Sequence, residues 1–187
     1  MRIQIQNIVG VNLFFGADEA GRGSAIGPLI IGAVALDEVG IAKLKEIGVR
    51  DSKAYFSNSA RERHAEIIEK VALSTKVLIA HASTLNELKI KYGISLNKML
   101  EMFYQRAVKD LVRKLGTPKI IYIDAFEVSE LLQQAIGIIV KTNIIAESEA
   151  DSKYVPVMAA SILAKTTREQ EIQKLRQQYG DFGSGYP

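Results

Sequence analysis

Two kinds of hydrophobic pattern alternate along this chain of 187 residues. Short apolar runs of strand length recur as "VNLFFGAD" (11–18), "PLIIGAVAL" (28–36), "TKVLIAHAS" (75–83), "KIIYIDAF" (119–126) and "IIVKTNII" (138–145). They are rich in β-formers, bounded by polar, glycine or proline positions, and predict five strands. Between them, apolar residues at helical spacing predict helices over about 40–47, 59–73, a short stretch after 84, 95–116, 128–136 and 155–178. Ser59 with Glu62, and Thr84 with Glu87, have the spacing of capping boxes. Gly116 and Gly180 stop the helices before them, and Pro156 fits a first helical turn, where its missing N–H costs nothing.

Only a glycine-rich turn separates the first two runs, so they predict a hairpin and therefore a mixed sheet. The order β-β-α-α-β-α-α-β-α-β-α, without repeat, linker or low-complexity tract, predicts one layered α/β domain over residues 1–187.

Composition narrows the chemistry. Cysteine is absent and the histidines are two, His64 and His81, so thiolate nucleophiles, cysteine zinc sites and histidine-built metal centres are disfavoured. Any metal would be held by oxygen. No leader-like segment or membrane-length apolar stretch stands out, which predicts a cytoplasmic protein. The net charge of +3 and pI near 9.0 suit a polyanionic partner without demanding one.

The informative stretch is "GADEAGRGSAIGPL" (16–29), an acidic pair directly before a glycine-arginine-glycine turn. Asp18 and Asp124 both stand where an apolar strand runs out, the usual place for a site in an α/β sheet. If strands one and four are neighbours, these carboxylates meet, and gathering Asp18, Glu19 and Asp124 raises their pKa values unless a cation intervenes. Oxygen ligands of this kind suit magnesium or manganese, and with Asp151 four acids could hold a pair of ions. Each acid also has an ordinary reading, as a turn residue at a strand end or, for Asp151, a helix cap.

Gly21, Gly23 and Gly27 superficially resemble a dinucleotide-binding turn, but Pro28 and a strand follow where that motif needs a helix, and no Gly-Lys-Ser/Thr follows for a P-loop. What remains is a turn that admits close approach of a backbone or ligand, or one that merely needs positive φ.

Six blocks in order, "DEAGRGSAIGPL", "GVRDSK", "IYIDAF", "ADSKY", "AASILAK" and "YGDFGSGYP", resemble ribonuclease HII, the type 2 ribonuclease H, most closely its archaeal and eukaryotic branch. The resemblance implies an RNase H-like fold with a mixed five-stranded sheet in the order 3-2-1-4-5, flanked by helices. It implies that Asp18, Glu19, Asp124 and Asp151 form a catalytic site for two divalent ions, Mg2+ or Mn2+. The implied activity is hydrolysis of the RNA strand of RNA/DNA hybrids and cleavage 5′ to ribonucleotides embedded in duplex DNA, leaving a 3′-hydroxyl and a 5′-phosphate. Gly21, Arg22 and Gly23 match the motif that reads the ribose 2′-hydroxyl, the group that distinguishes RNA from DNA. Lys53, and after it Ser161 and Lys165, match phosphate contacts, and Tyr186 matches the tyrosine that packs on the sugar after the ribonucleotide. Glu149 stands where the family often has a basic residue, and Glu169 follows Arg168 where it often has aspartate.

The family normally continues beyond this tyrosine into further helices, and some members bind a replication clamp through a C-terminal tail. The expectation is therefore a monomeric catalytic domain lacking that extension and tail. Two other classes stand beside the enzyme: a binding module that holds hybrids without cutting, against which the complete acidic set argues, and a nucleotide-cofactor enzyme, which rests on glycine spacing alone.

Overall fold

The computed structural model describes residues 10–49, 58–124 and 129–187, and Lys53 lies outside the described residues. β1 (Phe14–Ala20) and β2 (Leu29–Leu36) form the antiparallel hairpin, with Phe14 opposite Leu36 and Ala20 opposite Ile30. β3 (Ser74–Ala80) pairs antiparallel with β2, while β4 (Ile120–Asp124) and β5 (Asn143–Glu147) add in parallel beyond β1. The sheet order is β3-β2-β1-β4-β5, so β1 lies beside β4 as the resemblance implies.

The helices are α1 (Glu38–Glu46), α2 (Asn58–Val71), α3 (Ala82–Tyr92), α4 (Leu96–Leu115), α5 (Ser129–Gly137), α6 (Ala150–Lys153) and α7 (Val155–Tyr179). Side-chain caps start α1 and α4: Asp37 accepts from the Gly40 amide at 2.7 Å and Ser95 from the Lys98 amide at 3.3 Å. Both predicted capping residues fall inside their helices. Ser59 lies within α2, and α3 begins at Ala82 with His81 extended before it, which places Thr84 inside the first turn. The fifth strand starts later than the apolar run suggests. Ile138 is 86% exposed, and the Thr142 hydroxyl donates to the carbonyls of Pro118 and Lys119, anchoring the chain at the foot of β4 before pairing begins at Asn143. The four-residue α6, which carries Asp151, is an element the periodicity does not reveal.

Both faces of the sheet are covered. Phe15, Ala17, Ile121 and Ile123 pack on the side of α4 and α5, and Val34 and Leu36 pack on the side of α7, α1 and α2. α7 lies against the sheet backbone itself: a Cβ at Gly16 would run into the Pro156 and Val157 backbone, and one at Gly32 into the carbonyl of Ala160. That contact fixes where the polar residues of α7 fall relative to the end of β1. Among the described residues no helix is long and apolar enough to cross a membrane.

Candidate active site

Strand side chains alternate between faces, so the parity of β1 and β4 decides which acids can meet. Phe15 and Ala17 face α4, which sends Asp18 to the α7 side and Glu19 back to the α4 side. Ile121 and Ile123 likewise send Asp124 to the α7 side. Ala17 pairs with Ile123, so Asp18 and Asp124 come next on two adjacent parallel strands. α6 brings the third acid: Asp18, Asp124 and Asp151 each offer a carboxylate oxygen, all within 4.8 Å of one another.

The surroundings hold this cluster in place. Asp18 and Asp151 are buried, at 4% and 1% exposure, and Asp124 is half-buried. Asp18 accepts from the Glu19 amide at 2.7 Å and from the Ser161 hydroxyl of α7. Asp124 accepts from the Ala150 amide at 3.3 Å, which ties the end of β4 to α6. Lys165 Nζ lies 3.6 Å from Asp151 Oδ2 and supplies counter-charge. Ser161 is fully buried and Lys165 half-buried, so Ser161 faces the carboxylates, not solvent.

Burial foremost, and then the neighbouring Glu19 carboxylate, holds Asp18 well above the ordinary aspartate value; Ser161 and Lys165 pull it back, and Asp124 adds to the rise. Three convergent carboxylates, of which buried Asp18 resists ionisation, with Lys165 beside Asp151, fit a hard divalent cation, whose charge removes the penalty and which prefers such ligands.

Glu19 is not one of the three convergent acids. Its carboxylate bonds instead to the hydroxyl of Tyr104, a fully buried residue of α4 that also reaches the Asp124 carbonyl at 3.0 Å. Burial again raises the Glu19 pKa, opposed first by the Tyr104 bond, and burial with the facing carboxylates raises that of Tyr104. Tyr104 therefore links both strand ends from the far side of the sheet. No sequence signal marks it, because a tyrosine in the apolar stripe of an amphipathic helix reads as core.

Beyond β1 the chain enters the glycine turn. Gly21 has φ +96° and packs against the Pro28 carbonyl and Arg168; the Gly21 carbonyl accepts from the Ser24 hydroxyl at 2.8 Å. Arg22 donates to Asn97 Oδ1 at 3.3 Å, bracing the turn on the start of α4. Gly23 differs. Its φ is not positive, and a Cβ added there would meet nothing within 4 Å among the described residues, none of which requires that glycine. Tyr186, 48% exposed, comes back beside this turn because the Gly185 carbonyl accepts from the amides of Ala25 and Ile26 at 2.8 and 3.0 Å.

A sequence model of the family described as ribonuclease HII matches residues 15–187. The chain belongs to the ribonuclease HII family. Ribonuclease HII of Pyrococcus furiosus is 40% identical over 185 aligned positions, in an alignment that covers 92% of this chain and 75% of that protein. Among solved structures, the PCNA:RNase HII complex from Archaeoglobus fulgidus superposes with a TM-score of 0.82 at 38% identity, covering 92% of this chain and 80% of that one. Bst-RNase HIII in complex with Mn2+ superposes at 0.78 with 26% identity, over 92% of this chain and 57% of that one. The fold is thus that of RNase H-like type 2 enzymes, and the ribonuclease HII family is one of hydrolytic, divalent-metal-dependent nucleases acting on the RNA strand of RNA/DNA hybrids.

Proposed function

We propose that this ribonuclease HII family member uses two divalent ions, magnesium or manganese, to cut RNA in RNA/DNA hybrids and to incise duplex DNA 5′ to an embedded ribonucleotide. The products carry a 3′-hydroxyl and a 5′-phosphate. One observation carries the reading: Asp18, Asp124 and Asp151 converge within 4.8 Å at the foot of a turn whose Gly23 leaves empty space where a side chain would stand.

In this reading Asp18, Asp124 and Asp151 hold the ions from the α7 side of the sheet, and Glu19, near the end of β1, completes the set. Bound there, divalent ions supply Lewis acidity, lowering the pKa of an attacking water and offsetting charge on the scissile phosphate. The chain supplies orientation. Ser161 and the Ala150 amide fix the carboxylates of Asp18 and Asp124, Lys165 balances Asp151, and Tyr104 holds Glu19 at its strand end. Gly21, Arg22 and Gly23 receive the ribose, whose 2′-hydroxyl both donates and accepts and so can be read by backbone groups. Tyr186 packs on the following sugar, and Lys53 contacts a phosphate near the cut. The protein acts as a monomer, and the PCNA complex of the Archaeoglobus relative supports a sliding clamp as partner.

The test is cleavage of a labelled DNA duplex containing one ribonucleotide, with magnesium or manganese, beside an all-DNA duplex and a metal-free reaction. Metal-dependent cutting 5′ to the ribonucleotide, absent from both controls, is the expected result. Binding of the ribonucleotide duplex without cutting, in either metal, would replace the nuclease by a binding module.

A further inference from the structure

We infer that Arg168 is a positioning residue that locks the ribose-reading turn to Tyr186, and that this lock sets the preference for a lone ribonucleotide over a continuous hybrid. The inference rests on the proposed roles of the Gly21-Arg22-Gly23 turn and Tyr186, and it concerns a residue that touches neither metal nor substrate.

Arg168 projects from α7 and is 5% exposed. A guanidinium cannot shed its charge, so its burial is offset by donors held to acceptors in a fixed geometry. Here they reach two separate segments. Nη2 donates to the Ile26 carbonyl in the turn at 3.0 Å, and Nη1 to the Ser184 carbonyl in the tail at 3.2 Å. The guanidinium carbon stands 4.4 Å from the centroid of the Tyr186 ring, within cation–π distance. Nε is buried without a hydrogen-bond partner among the described residues.

Three glycines border this arrangement, each also pressed by a nearer neighbour: the Pro28 carbonyl at Gly21, Ile172 Cδ1 at Gly27 and the Ile26 carbonyl at Gly185. Gly21, Gly27 and Gly185 all have positive φ, at +96°, +98° and +79°. A Cβ on them would come within 2.9, 3.5 and 3.3 Å of the Arg168 side chain respectively. The turn and the tail are therefore wrapped on one planar group, and the two amide bonds from Ala25 and Ile26 to the Gly185 carbonyl close the ring.

The consequence is geometric. A substrate with one ribonucleotide presents its 2′-hydroxyl and the next deoxyribose at one fixed spacing, so the turn and Tyr186 must be held at that spacing together. A continuous hybrid offers a ribose at every step and is less sensitive to it. Lysine at this position keeps the charge but cannot reach both carbonyls while stacking on the ring.

The experiment compares the full chain with Arg168→Lys and Gly185→Ala, the latter opening the lock from the tail while leaving the arginine in place. Cleavage of a single-ribonucleotide duplex and of a continuous hybrid is measured for each, with amide hydrogen exchange as a readout independent of activity. The expected result is faster exchange at Ala25 and Ile26 and a ratio of single-ribonucleotide to hybrid cleavage lowered by about tenfold or more, since small misplacements of a bound substrate carry costs of that size. An unchanged ratio in a folded variant overturns the proposal, as does an equal loss on both substrates, which is what a merely structural residue gives. If Arg168→Lys does not fold, Gly185→Ala decides by the same ratio; should neither fold, Tyr186→Leu decides, since an unchanged ratio there leaves the lock nothing to act through. Failure of the wild-type protein to cut the single-ribonucleotide duplex would instead strike the functional reading itself, and exchange that stays slow in a folded Arg168→Lys would overturn the lock without touching that reading.

Discussion

The acidic cluster and the glycine turn adjoin in sequence, yet they are held by different means. Asp18 and Asp151 are buried where β1 and α6 meet α7, and the glycines at 16 and 32 let α7 press on the sheet backbone beneath them. The turn and tail lie at the rim, where Tyr186 is half exposed and the positive φ angles fall on Gly21, Gly27, Gly183 and Gly185. The first region is fixed by the core, and the second by one buried arginine and a few backbone bonds. Chemistry and recognition should therefore be separable by mutation.

The largest effect belongs to the core side. Asp124→Asn keeps the shape of the strand end but removes a charge from the cluster, and cleavage should fall on the order of a thousandfold, as for other groups that act directly at the reacting centre. Without metal the same variant should melt no lower than the wild type, because Asp124 contributes to the like-charge repulsion that raises Asp18 and Glu19. Rates under saturating metal, together with melting curves without it, check both halves. A variant that cuts normally, or one that unfolds, removes Asp124 from its role.

Gly23→Ala breaks the comparison from the other side. No described residue lies within 4 Å of the added methyl and φ there is not positive, so the melting temperature should stay within about 2 °C. Cleavage beside a ribonucleotide should nevertheless drop by about tenfold or more, because the methyl occupies the space assigned to the sugar. Undiminished cutting would mean that this glycine reads nothing.

How much of this was legible beforehand depends on the range of the interaction. The strands, their glycine turn and the acids at their ends follow from local pattern, and the neighbour relation of β1 and β4 came with the resemblance. The parity that sends Asp18 and Glu19 to opposite faces was also available, since consecutive strand residues always diverge. Tyr104 and Arg168 were not legible as site residues. Each lies in a helix, and its partners are distant in sequence: Glu19 for the tyrosine, Ile26 and Ser184 for the arginine. α7 also conceals its burial, because it is covered on much of its circumference and shows no clean polar face for periodicity to find. The capping boxes misjudge position, not pattern: the spacing is right, but Ser59 and Thr84 already lie inside their helices.

Metal and pH sharpen the contrast further. Burial raises Asp18 and Glu19 above their ordinary values of 3.8 and 4.5, so the folded metal-free protein binds protons more readily than the unfolded chain. Their contribution to stability is then fully present below those ordinary values and is lost as pH rises through the raised ones. Metal-free melting should show that decline, and added magnesium or manganese should restore more stability the higher the pH, since the ions bind the ionised acids. A metal-induced shift that does not depend on pH would detach the ions from these carboxylates.

The smallest effect concerns strain. In the rim every positive φ noted above falls on glycine, whereas beside the acids Glu149 adopts φ 60° and ψ 27° directly before α6. Its side chain is exposed, and its carbonyl accepts from the Ser152 hydroxyl at 2.8 Å, so the backbone there serves α6 while the carboxylate points to solvent. A left-handed conformation costs an L-residue about 1 kcal/mol or more, a cost glycine does not bear. Glu149→Gly should therefore raise the melting temperature by about 2 °C, net of glycine's greater freedom in the unfolded chain. If cleavage is unchanged as stability rises, the strain is incidental to the placement of Asp151. If cleavage falls while stability rises, the stiff left-handed residue holds Asp151 in position, and the catalytic side owes its rigidity to local backbone as well as to the core.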